Sequence, residues 1–242
     1  MNIARHIPNT ITSMNLLCGV LGVICVFNGK ADTAFLLMIA AAICDFFDGF
    51  AARALKAYSD IGKELDSLAD LVSFGLLPSL MLYNMMSSMS LEAGLLRYIP
   101  LLLAVASALR LAKFNTDERQ SENFLGLATP ASAMICGSLT YYIMKDADSF
   151  LTAWAAGKVF VPAVALILSV LMVSEIPMFS MKFKRGTQKN TPVYRMRVAF
   201  AGAIGVSAVL VLLLGLNWSM IVLLTFLLYI IINIIGVLTT KK

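Results

Sequence analysis

Charge is scarce in this sequence: 14% of its 242 residues are Asp, Glu, Lys or Arg, against about a quarter in ordinary soluble chains. Histidine is scarcer still. His6 is the only one, which excludes a zinc site built on histidine and reads as an amphipathic side chain at an interface. The four cysteines, Cys18, Cys25, Cys44 and Cys136, lack CxxC spacing and lie in or beside apolar runs. That excludes a disulfide framework and makes them small buried hydrophobes. No A-x-A-like cleavage site follows the apolar run 16–27, which ends in Asn28-Gly29-Lys30, so this run is expected to stay in the mature chain. Internal repeats and low-complexity segments are missing as well.

What the chain has in quantity is hydrophobic length. Apolar residues make up 60% of it, gathered in eight segments at roughly 11–28, 32–54, 66–88, 96–113, 128–145, 158–175, 196–216 and 218–238. Several reach the roughly 20 residues that a membrane-spanning helix needs. A large soluble bundle should carry polar stripes at helical period, and 11–27, 159–174, 198–216 and 219–238 carry almost none. The expected fold is therefore all-α, a polytopic membrane bundle of about eight transmembrane helices. Residues 1–10 read as a short interfacial lead-in limited by Pro8, and 114–127 as a polar loop. Pro78, Pro162 and Pro177 mark kinks or ends.

With a cytoplasmic N-terminus, only Lys30, Arg97, Lys145 and Lys158 fall on the outer side, and the other fifteen of the 19 Lys and Arg face inward. Every loop then obeys the positive-inside rule, with both termini cytoplasmic. Basic loops at an anionic inner leaflet account for the net charge of +5 without nucleic acid as a partner. The chain reads as a single membrane domain, 1–242. Residues 1–175 read as a six-helix core, 176–195 as a basic cytoplasmic linker, and 196–242 as two additional spans that carry Asn217 and Asn233 and serve packing or assembly.

Against this background the stretch 45–70, DFFDGFAARALKAYSDIGKELDSLAD, stands out. Asp45, Asp48, Gly49 and Ala52 fall at i, i+3, i+4 and i+7 of a helix, and Gly62, Asp66 and Asp70 at i, i+4 and i+8, so each set shares one face. The connection near Lys56–Asp60 is short enough to return the chain antiparallel, which lets the two stripes face each other. Gly49, Ala52 and Gly62 leave room for a ligand beside the backbone. Four neighbouring carboxylates repel each other, and a multivalent cation relieves the repulsion. Oxygen ligands without His or Cys point to Mg²⁺ or Mn²⁺, with Ca²⁺ as a further hard occupant. A pair of ions roughly 3.5–4 Å apart would suit phosphoryl transfer, and Arg53 could add a phosphate contact. The plainer reading pairs these acids with Arg53, Lys56 and Lys63 at helix ends. Asp60 and Glu64 lie off the stripes and read as surface charge.

Asp45, Asp48, Gly49, Ala52, Arg53, Gly62, Asp66 and Asp70 match the pattern D-x2-D-G-x2-A-R-x8-G-x3-D-x3-D at every specified position. That resembles the signature of the CDP-alcohol phosphotransferases, integral membrane enzymes of phospholipid synthesis. The resemblance implies a di-metal site with Asp45, Asp48, Asp66 and Asp70 as ligands and Asp70 also as general base. It places Asn9, Thr12, Asp48, Gly49, Ala52, Arg53 and Gly62 beside the CDP moiety. It further implies a homodimer in the cell's inner membrane, with the active site facing the cytoplasm.

Further stretches narrow the branch. Residues 8–15, PNTITSMN, look like an N-terminal family motif, with Asn15 where relatives that use glycerophosphate or inositol usually have Arg. Leu71 follows Asp70 where those relatives usually have Lys, and DSLADLVSFG at 66–75 is similar to phosphatidylserine synthases. Residues 110–115 and 124–130 resemble two more stretches of those enzymes, with Ala128 departing from the usual Pro. The resemblance covers about 8–140. It implies CDP-diacylglycerol and L-serine as substrates and CMP as product. Asn15, Arg110, Lys113 and Asn115 are the candidates for holding serine or phosphate, since an arginine can grip a carboxylate bidentately. Asn9, Thr12, Asn15 and Asn115 could instead cap helices, and Arg110 and Lys113 could be ordinary inner-face anchors. Transfer to glycerol-3-phosphate, inositol or inositol phosphate remains the nearest alternative. A divalent-cation transporter is the alternative from another class, since intramembrane acids often line ion paths.

Overall fold

The computed structural model describes residues 6–89, 91–117, 124–179 and 192–240. Each of the eight hydrophobic segments carries a helix. Helices α1 (His6–Phe27) and α2 (Ala31–Ala54) form a hairpin. A continuous 30-residue rod follows, built from α3 (Asp60–Asp70), a π-helical stretch Leu71–Leu76 and α4 (Leu77–Met89). Next come a 3₁₀ stretch, Leu91–Leu101, broken at Gly94, and α5 (Leu102–Thr116). Then follow β1 (Phe124–Leu125), α6 (Thr129–Lys145), α7 (Phe150–Ala155), α8 (Phe160–Val173), β2 (Pro177–Met178), α9 (Pro192–Leu213) and α10 (Ser219–Thr240). β1 and β2 pair antiparallel, Phe124 with Met178 and Leu125 with Pro177.

Six helical stretches are long and apolar enough to cross a membrane. Outer faces are oily: Leu17 and Ile24 on α1, Phe46 and Phe50 on α2, and Val209 and Leu213 on α9 are all exposed. With water outside, that much exposed apolar surface would drive aggregation; with lipid outside it is the expected surface. The protein is a multi-pass membrane protein.

The fifth and sixth hydrophobic segments form shorter helices, α6 with 17 residues and α8 with 14. α6 is central rather than lipid-facing: 13 of its residues are buried, and it packs on α2, α4, α5, α8 and α10. Its composition fits that place. Ala131, Ser132, Ala133, Gly137 and Ser138 are small enough for close approach, and a Cβ on Gly137 would collide with the Phe35 ring. The Ser138 and Thr140 hydroxyls donate to Met134 and Cys136 carbonyls one turn back, so they bring no unsatisfied polar group into the core. Lys145 closes α6 with a 2.8 Å ion pair to Asp32 at the start of α2.

Three expectations need correction. Residues 6–10 are the first turn of α1 rather than a separate lead-in, and Pro8 sits where its missing N–H has no intrahelical partner to lose. Residues 114–116 continue α5, so the loop begins later than read. α9 begins at Pro192, inside the stretch 176–195 read as linker; residues 180–191 of that linker lie outside the described residues.

The α1 and α2 ends share one device. At α1 the Lys30 N–H bonds to Cys25 O and the Gly29 N–H to Val26 O, with Gly29 at φ +71. At α2 the Ala57 N–H bonds to Ala52 O and the Lys56 N–H to Arg53 O, and the left-handed position is held by Lys56 at φ +50. This six-residue closure normally uses glycine at that position, because a Cβ is penalised there. Lys56→Gly is therefore expected to raise stability by about 0.5–1 kcal/mol. A thermal-melt series in one detergent or lipid would show it, and a lowered midpoint would contradict it.

Candidate metal and nucleotide site

The α2–α3 turn brings the two acidic stripes together. One carboxylate oxygen each from Asp45, Asp48 and Asp66 lies within 4.8 Å of the others. Asp48 is buried, while Asp45 and Asp66 are half-buried. The donor set of three carboxylates this close is all hard oxygen with no nitrogen or sulfur, which suits a hard divalent cation. They could hold a metal ion.

Asp70 lies one turn farther along the rod and deeper, within electrostatic reach of Asp45, Asp48 and Asp66. The Asn15 amide donates to its Oδ1 at 3.3 Å. Asn15 itself is fully buried, and its Oδ1 has no hydrogen-bond partner. Beside the triad, the Thr12 hydroxyl is 2.6 Å from Asp48 Oδ2 and 3.0 Å from Pro8 O. Its single proton goes to the carboxylate, the shorter and charge-assisted partner. Pro8, Thr12, Asn15 and Gly19 share the buried face of α1, so α1 forms the wall that orients Asp48 and Asp70.

A cavity of about 210 Å³ opens next to these acids, lined by Asn9, Thr12, Asp48, Gly49, Ala52, Gly62 and Asp66 among others. The small residues act as cradle. A Cβ on Gly62 would stand 2.9 Å from both Asn9 Oδ1 and Ser59 Oγ, while Gly49 faces the Arg53 guanidinium at 3.7 Å. Ser59 caps α3, accepting from the Gly62 N–H at 3.0 Å. Asp60 and Glu64 are exposed, off the stripes as expected.

The cavity also uses Pro8, Ala57, Tyr58, Ser59 and Lys63, which the sequence reading passed over as turn and surface. Two signals were there: a Ser placed to cap α3, and a lone Tyr in a short polar connection.

The four candidates for the acceptor separate. Asn15 sits against Asp70. Arg110 is buried, its Nη1 donating to Thr129 Oγ1 at 3.2 Å, with the guanidinium over the Phe114 ring. Asp70 and Tyr229 lie within its electrostatic reach. Lys113 forms a 3.0 Å ion pair with Glu175. Asn115 braces α5 on α3: its amide donates to Ser67 Oγ at 2.8 Å, and its carbonyl accepts from Lys63 at 3.0 Å.

The π-helical stretch directly after Asp70 explains the run at 71–75. A Cβ on Gly19 would collide with Ser73, whose hydroxyl donates to the Asn15 carbonyl at 3.0 Å. One on Gly75 would sit 2.8 Å from Ser107 Cβ. The wide turn thus lets α1 and α5 close on the rod immediately behind Asp70, and such turns often sit at functional sites.

Residues 5–174 match the model of the CDP-alcohol phosphatidyltransferase family. Similar proteins include the CDP-diacylglycerol–serine O-phosphatidyltransferase of Bacillus subtilis (strain 168), 37% identical over 137 residues, which is 57% of this chain and 76% of that one. Another is the enzyme of the same name from Mycobacterium bovis, 35% identical over 188 residues, or 72% of this chain and 61% of the relative. A third is the archaetidylserine synthase of Methanothermobacter thermautotrophicus, 28% identical over 176 residues, covering 70% and 68%. The matched stretch 5–174 includes every aspartate of the site and stops before α9.

Proposed function

The chain belongs to the CDP-alcohol phosphatidyltransferase family, and on that premise we propose that it moves the phosphatidyl group of CDP-diacylglycerol to the hydroxyl of L-serine, releasing CMP. The observation that carries this reading is the convergence of Asp45, Asp48 and Asp66 beside a cavity floored by Gly49, Ala52 and Gly62. Divalent cations held by these oxygens, two in the full site with Mg²⁺ or Mn²⁺ preferred, would neutralise the CDP pyrophosphate.

The chain's own groups supply the rest. Asn9 and Thr12 border the nucleotide, with Arg53 at the rim for phosphate. Thr12 also fixes the Asp48 carboxylate. Asp70 takes the proton from the serine hydroxyl, whose oxygen attacks the phosphorus bearing diacylglycerol. A new P–O bond forms, the phosphoanhydride bond breaks, and CMP leaves.

For the acceptor, Asn15 offers its Oδ1 and amide next to Asp70, and Arg110 is the cation for the serine carboxylate. Its burial favours it over Lys113, which shares its charge with Glu175. Residues 1–175 then form the catalytic core and 196–242 an appended pair of spans. The site faces the cytoplasm of an inner membrane, on the side where Lys and Arg collect, and the working unit is a homodimer.

Membranes carrying the protein, supplied with CDP-diacylglycerol, Mn²⁺ and one acceptor at a time, test the acceptor. CMP release is expected with serine and not with glycerol-3-phosphate, inositol or inositol phosphate. Release with one of those three and not with serine would replace the acceptor and keep the chemistry.

A further inference from the structure

The last span carries two polar side chains that look out of place among lipid-facing residues, Tyr229 and Asn233, and both are buried. They grip the backbone of one residue, Phe179, on both sides. The Phe179 N–H donates to Asn233 Oδ1 at 2.7 Å, and the Phe179 carbonyl accepts from the Tyr229 hydroxyl at 3.1 Å. Asn233 Nδ2 closes the set on the Tyr229 carbonyl at 2.7 Å. Rings of Phe179, Phe200 and Tyr229 pack edge-on around it, with centroids 5.1–5.9 Å apart. A buried amide in a span is tolerated when fully hydrogen-bonded. Here Asn233 Oδ1 and the Tyr229 hydroxyl bond to the backbone of a different segment, while Asn233 Nδ2 bonds within α10.

That segment leads to the site. Met178 and Pro177 pair with β1 at Phe124 and Leu125. The Gly126 N–H bonds to Ile176 O and the Leu127 N–H to Leu171 O, both at 2.9 Å. Gly126, at φ +78, lies so close to α8 that a Cβ would meet the Met172 and Ser174 carbonyls at 2.5 and 2.7 Å. Two residues beyond Leu127, Thr129 accepts from Arg110. At its opposite end α10 is anchored separately, where Trp218, just before its first residue, stacks on Phe35 at 5.8 Å and meets the Tyr141 ring at a tilt of 56° and 5.1 Å.

We propose that Asn233, with Tyr229, is a positioning residue for the acceptor half of the site, clasping Phe179 so that the paired segments around β1 and β2 hold Thr129, at the start of α6, against Arg110. This rests on Arg110 as the acceptor's anion contact. It assigns the appended spans, which lie outside the family match, a role in acceptor binding.

The test uses the full chain in nanodiscs, with steady-state constants for both substrates and hydrogen exchange at the Phe179 and Gly126 amides. Asn233→Leu raises KM for serine about 5- to 50-fold, leaves KM for CDP-diacylglycerol within about twofold, and accelerates both amides. Tyr229→Phe, which removes only a hydroxyl, shifts serine KM in the same direction by about two- to fivefold, and decides the matter if Asn233→Leu does not fold. Trp218→Phe, at the far anchor of the same helix, leaves serine KM unchanged. The proposal is overturned if serine KM does not move in the clasp variants, or if Trp218→Phe moves it equally. Should the wild type use another alcohol, the same constants are read for that alcohol, and the amide exchange tests the clasp independently of the acceptor's identity.

Discussion

Asp70→Asn lowers turnover by about 10²–10⁴-fold at saturating Mn²⁺, the range expected when a positioned base is lost. The substitution is nearly isosteric and keeps an oxygen for the Asn15 amide, which now bonds to Asp70 Oδ1 at 3.3 Å. The rod's packing at 66–75 is left intact. What disappears is a group able to accept the acceptor's proton in a buried place. Burst and steady-state CMP release with CDP-diacylglycerol and serine would measure the change. KM for CDP-diacylglycerol should move little, because Asn9, Thr12, Gly49 and Gly62 still border the nucleotide cavity. Near-native turnover would remove Asp70 from the role of base.

The second large effect falls on the triad. Asp66→Ala, or Asp45→Ala, takes one of three convergent oxygens and is expected to reduce turnover at least about 10³-fold, or ~4 kcal/mol of barrier. The response to added Mn²⁺ should vanish together with the activity. Asp60→Ala is the control: the residue is exposed, starts the same helix and lies off the stripe, so its activity should match the wild type. A titration of rate against Mn²⁺ for the three proteins separates the cases. If Asp66→Ala keeps both its rate and its metal response, the triad is not the cation site.

The two spacings i,i+3 and i,i+4 sufficed to place Asp45 with Asp48 and Asp66 with Asp70, because helical period is local and the turn between the helices is short. Glycine and alanine beside the acids signalled a cradle for a similar reason: the absence of a side chain is visible in one dimension. Eight apolar segments announced a membrane bundle, and lipid, unlike water, leaves few other ways to satisfy a backbone. That α6 is sheathed by protein rather than lipid was not visible, since helices in the two surroundings have similar composition.

Contacts that join distant segments were not legible at all. Nothing near Thr12 says that its hydroxyl meets Asp48, 36 residues away, or that the Asn115 amide meets Ser67. The bidentate grip of arginine favoured Arg110 over Lys113 in the sequence, and packing adds that Lys113 pairs with Glu175 while Arg110 is buried within electrostatic reach of Asp70. Asn233 was visible as a polar residue in an oily helix, and its partner, the Phe179 peptide, was not. The sequence alone thus determined the membrane class, the four acids and the family, because each rests on local spacing or bulk composition. The tertiary structure alone decided which side chains orient those acids and what the last span holds, because both depend on which surfaces meet after folding.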